Sequence, residues 1–142
     1  MCYENKSFRA AIILIYSGID AMAALDIPCG QTVSGRNDFI KWCDRYLKFK
    51  SMEKITGTEL YAARCGIIHT YSSESDFLKR ENCRQIGYMD RSAMDVIYKP
   101  DIDETLVMVS VEALINAFFS AINEFLIEAL SNSGRSRSLK KG

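Results

Sequence analysis

Two long apolar stripes at helical spacing, one near each end of the chain, set the limits on what this sequence can become. In the first, over residues 6–25, Ile12, Ile15, Ile19 and Met22 recur every three or four positions, and Phe8 and Leu25 extend the row. In the second, over residues 110–131, Leu114, Ala117, Phe118, Ala121 and Phe125 make the face, with Ile127 or Leu130 closing it. Phe119, Ile122 and Leu126 widen that face beyond what one neighbour needs, and the surplus predicts an interface with a second copy. Helices this wide in apolar surface must bury each other, which predicts a mainly α chain. At 142 residues, 48% of them apolar, there is enough for one core and one domain, residues 1–133.

Between the stripes the pattern is shorter. Pro28 and Gly30 end the first helix, and Asn37 or Asp38 caps a second over residues 37–49. Phe39, Trp42, Cys43, Tyr46 and Leu47 form its apolar face, flanked by Arg36, Lys41, Arg45 and Lys48. These cations suit a solvated face over buried rings, or a nucleic-acid groove beside Trp42 and Tyr46. Thr56 and Glu59 form a capping-box pattern that starts a third helix, with Leu60, Ile67 and Ile68 inward. Residues 72–82 are polar and read as a short helix or turn that Ser72, Ser73 or Ser75 caps. Residues 83–90, 96–98 and 106–109 read as strands around the turn at Pro100, and predict a small β-hairpin inserted before the last helix. Asn132 and Gly134 are expected to stop that helix. The remainder, residues 134–142, predicts a mobile basic tail.

Charge and cysteine usage exclude several functions. Lysine plus arginine and aspartate plus glutamate both number 18. Arg135, Arg137, Lys140 and Lys141 stand in the tail without an acid, so the body carries an excess of four acids, which argues against broad duplex binding. Five scattered cysteines without CxxC spacing predict reduced thiols and a cytoplasmic protein. One histidine and no paired cysteine leave no expected zinc site, and no cofactor motif is present. Lys6 and Arg9 before the apolar residues 10–19 mimic a leader, but Asp20 and the periodicity beyond it predict a core helix. No run reaches about 18 uncharged apolar residues, so no membrane span is expected.

The chemistry concentrates in residues 56–71, TGTELYAARCGIIHTY. Arg64 supplies a permanent cation that forks onto phosphate oxygens. His69, the one histidine, can move a proton near neutral pH. Five residues along a helix turn by roughly 140° and rise about 7.5 Å, so the two do not share a face. They converge if the helix loosens near Gly66 or ends around His69, or if a second subunit brings its own copy. Gly66 itself suits either a kink or the close approach of another backbone. Asp20 interrupts the first stripe. It is either a boundary residue facing water or a partner of Arg64 or His69.

The run Arg64-Cys65-Gly66-Ile67-Ile68-His69 resembles the R-x4-H signature of the HEPN superfamily, and with Thr70 and Tyr71 its R-x4-H-x-Y form. The resemblance implies an antiparallel bundle of about four main helices, a homodimer with a composite cleft, and a metal-independent endoribonuclease with Arg64 and His69 as the catalytic pair. Tyr71, Thr70 and Asp20 would then support phosphate or RNA. It also implies a toxin or defence role beside a nucleotidyltransferase antitoxin, with Tyr71 a modification site. The chemistry fits: RNA carries its own 2′-hydroxyl nucleophile, Arg64 stabilises charge on phosphorus, and two His69 copies divide the two proton transfers. The alternative is a noncatalytic helical dimer that binds nucleotides or proteins. His69 would then cap a helix end, and Arg64 would pair with Asp20 or Glu59.

Overall fold

The computed structural model describes the backbone of residues 2–27, 30–31, 33–68, 82–90 and 94–141, and their side chains except at 2–7, 68 and 133–141. The order is α1 (Cys2–Leu25), α2 (Arg36–Tyr46), α3 (Gly57–Ile68), β1 (Gln85–Met89), β2 (Val96–Ile97), β3 (Leu106–Ser110) and α4 (Val111–Lys141). The chain is mainly helical, with a small three-stranded sheet before the last helix. The expected short helix or turn at 72–82 lies almost wholly outside the described residues.

The apolar rows of α1 and α4 enter one core. Ile12, Ile15, Tyr16, Ile19 and Ala23 are buried from α1, and Leu114, Ala117, Phe118, Ala121 and Phe125 from α4. Where the two helices meet, Gly18 lies directly under the Phe118 ring, leaving no room for a Cβ. Trp42, Phe39 and Tyr46 fill the space between α2 and α4, with Phe125 edge-on to both Trp42 and Tyr46. Trp42 is fully buried, so a nucleic-acid groove on Trp42 and Tyr46 is ruled out. The rings face the core and the cations around them face water. Tyr46 donates to Glu128 at 2.5 Å, and Arg45 pairs with the same carboxylate at 3.2 Å, fixing the end of α2 on α4. The Tyr46 hydroxyl is pushed up to about 12, first by burial and then by that hydrogen bond.

Helix α2 starts one residue early and stops three short of the expected 37–49. Gly35 is its N-cap, and Asp38 reaches back to accept from the Gly35 N–H at 2.8 Å. Leu47 turns extended and ends it, still donating to the Cys43 carbonyl. Helix α3 then runs back along α2, with Gly57 against the Ile40 carbonyl and Tyr61 edge-on to Phe39.

The sheet corrects the expected hairpin. β2 does pair antiparallel with β3, Val96 opposite Val109, but β1 joins the other edge of β3 in parallel, Gln85 opposite Leu106. The order is β1-β3-β2. β3 is central because Val107 and Val109 are buried against the helices, and it passes into α4 without a connecting residue.

α4 also exceeds its expected end. It continues through Asn132 and Gly134 to Lys141. One glycine costs about 1 kcal/mol in a helix, too little to end one already propagating. The outer rows of α1 and α4 are apolar: Leu14 is 71% and Leu25 68% exposed, Phe119 64% and Leu130 73%. They adjoin across the Gly18–Phe118 contact. Phe8–Leu25 and Val111–Asn132 are long and apolar enough to cross a membrane, against the sequence expectation. The core helix of a soluble protein has the same length and composition.

Candidate functional site

The site is built on α3. Thr56 and Glu59 cap it reciprocally: the Glu59 N–H donates to Thr56 Oγ1 and the Thr56 N–H to Glu59 Oε1, both at 3.1 Å. The Gly57 N–H donates to Asp44 Oδ1 at 2.6 Å, pinning the same turn to α2. From this start α3 runs unbroken through Gly66 to Ile68, so no loosening at Gly66 turns Arg64 toward position 69.

Arg64 leaves α3 toward α1. Its Nε donates to both Asp20 oxygens, at 3.1 and 2.9 Å. The side chains keep 22% and 37% of their exposure, so the pair sits at the surface edge of the core. Burial alone would lower the Arg64 pKa, but the Asp20 hydrogen bonds and charge more than offset this. Among the described residues, the contact of its terminal nitrogens is Nη1 to the Cys65 sulfur, at 4.0 Å, and the guanidinium carbon lies 5.6 Å from the Tyr61 ring centre. The geometry therefore brings Arg64 and Asp20 together. His69, Thr70 and Tyr71 lie outside the described residues.

A second charged cluster was not legible in the sequence. Arg84, one residue before β1, donates through Nε and Nη2 to Glu59 at 2.7 and 3.0 Å. Its Nη1 donates to Glu53 at 2.6 Å, its Nη2 to the Lys54 carbonyl at 2.6 Å, and its main-chain N–H to Glu59 at 3.1 Å. The guanidinium also stacks 4.6 Å from the Tyr98 ring centre. Burial pushes the Glu59 carboxyl up. Hydrogen bonds from Arg84 and Thr56, with the Arg84 charge, outweigh this and hold it below its ordinary value. So Glu59, one of two expected partners for Arg64, is fully engaged by Arg84 instead. The only local signal was the capping pattern, which does not reveal a partner 25 residues away.

Among the described residues no three His, Cys, Asp or Glu side chains group as a metal site. Cys43, Cys65 and Cys83 are not in disulfides; burial pushes the Cys43 pKa up and makes it a poor nucleophile. Compared with known proteins, the chain matches no family model, no curated protein and no solved structure.

Proposed function

We propose that this chain is an HEPN-like, metal-independent endoribonuclease that acts as a homodimer and leaves a 2′,3′-cyclic phosphate and a 5′-hydroxyl end. The observation that supports the reading is the way Arg64 is held. Asp20 takes its Nε edge, and Nη1 makes only a distant Cys65 contact among the described residues, which a phosphate oxygen can replace. His69 follows one residue after α3 ends and acts as base or acid; its copy in the partner takes the other proton.

The apolar outer rows of α1 and α4 are the proposed seam between protomers. A two-fold axis there would place two copies of Arg64 and His69 in one assembly, as the two proton transfers need. A nucleotidyltransferase antitoxin is the proposed partner of the assembled nuclease, and RNA its substrate.

The test is cleavage of single-stranded RNA by purified protein in EDTA. Wild type should cut, and Arg64→Ala and His69→Ala should each abolish cutting with an unchanged circular dichroism spectrum. Intact RNA with wild type would reject the nuclease. A second reading would then stand, because the same Arg64–Asp20 pair also serves as a strut between α3 and α1 in a noncatalytic binding module.

A further inference from the structure

A concavity of about 460 Å³ lies at the end of α2 opposite the Arg64–Asp20 pair. Its volume falls within the roughly 300–1,000 Å³ of small-ligand sites. Lys48, Phe49 and Lys50 bound it on the segment after α2, and Asp95, Asn116 and Ser120 face them from the strand and helix side.

The far wall is fixed. The Asp95 carbonyl accepts from the Ser110 N–H at 2.9 Å, and Ser110 Oγ accepts from the Ala113 N–H at 3.3 Å. Asp95 is thereby registered to the first turn of α4. The near wall is anchored by Leu47, which is buried, and by Phe49, which packs on the core. Lys48 donates to the Asp44 carbonyl at the end of α2. Among the described residues, the side chains of Lys50, Asp95, Asn116 and Ser120 make no hydrogen bond or ion pair.

Two ammonium groups on one wall suit a phosphate. Phe49, half-buried, lines the cavity beside them, where one ring suits a flat base. A free carboxylate on the opposite wall only accepts hydrogen bonds. Of the four common bases, guanine alone presents two adjacent donors, its ring N1–H and exocyclic amino group, to such an acceptor. The cavity is also larger than a bare anion requires. We propose that this concavity binds a guanine mononucleotide, with Lys48 and Lys50 on the phosphate, a phenyl ring on the base, and Asp95 on its Watson–Crick edge. The site is separate from the Arg64 region and does not depend on the ribonuclease reading.

Isothermal titration of the full chain with GMP, UMP and inorganic phosphate tests this. GMP should saturate the protein below about 1 mM, and UMP and phosphate should each bind at least about tenfold more weakly. Lys50→Ala and Asp95→Asn, both at solvent-facing side chains, should each weaken GMP about tenfold or more, the loss expected for one charge-assisted bond. Arg64→Ala should leave GMP binding unchanged, which separates this outcome from failure of the nuclease. No saturation by GMP at about 5 mM overturns the proposal. So does UMP or phosphate binding as tightly as GMP, or wild-type GMP affinity in both variants with native melting curves.

Discussion

Arg64 meets Asp20 through a single nitrogen, Nε, which donates to both carboxylate oxygens at 3.1 and 2.9 Å and ties α3 to α1. The pair is partly solvated, so its worth to stability is small, up to about 1 kcal/mol. Its worth to orientation is larger, because it fixes which edge of the guanidinium the carboxylate holds. Asp20→Asn is expected to slow RNA cleavage by about ten- to a hundredfold while the urea midpoint barely moves. Unchanged cleavage would remove Asp20 from any positioning role.

Glu59 is 5% exposed and accepts from Arg84 and Thr56 together. Replacing it by glutamine leaves the Arg84 charge short of its main partner. Glu59→Gln should lower unfolding free energy by about 2–3 kcal/mol, less than for a fully buried pair because Arg84 retains some solvent. A loss under about 0.5 kcal/mol in a urea melt would show that the cluster does not hold α3 to the sheet.

The same carboxylate gives a pH signature. Its folded pKa is depressed below the ordinary 4.5, so its contribution is present above 4.5 and is lost as pH falls through the lower folded value. Wild type should therefore lose stability on acidification below about 4.5 more steeply than Glu59→Gln. Parallel pH curves for the two proteins would contradict the assignment.

Gly57 inverts the usual helix rule. Alanine normally gains about 1 kcal/mol over glycine within a helix. Here a Cβ would press into the Ile40 carbonyl, which is backbone and cannot swing away. Gly57→Ala should cost about 1–3 kcal/mol, measured by thermal or urea unfolding. A stabilised variant would mean that α2 and α3 are not packed this closely.

The proposed seam is testable without RNA. Leu14 and Leu126 are already exposed in the protomer, so lysine at either place should change protomer stability by no more than about 0.5 kcal/mol. In sedimentation velocity, wild type should run as a dimer, and the combined Leu14→Lys, Leu126→Lys variant as a monomer. A monomeric wild type at tens of micromolar would sink the seam.

The sequence disclosed what depends on near neighbours. Most of the α1 and α4 rows follow from spacing alone, although Leu25, Ile127 and Leu130 face outward, and the Thr56–Glu59 cap forms as its pattern requires. What escaped was set by distant partners. Parallel pairing of β1 with β3 joins residues on either side of β2, and alternation within a strand carries no information about which edge it occupies. The run after Leu130 reads as tail because serine, glycine and arginine lack an apolar period, yet a helix already propagating carries them. For the candidate site, Asp20 stood out as an acid in an apolar row. Whether it met Arg64, His69 or water depended on how α1 lies beside α3, which periodicity does not encode.

Arg84 grips Glu59 at the first turn of α3, so the chain that leaves the far end of that helix comes back to where the helix began. Residues 60–83 thus form a closed circuit, fastened noncovalently at its mouth.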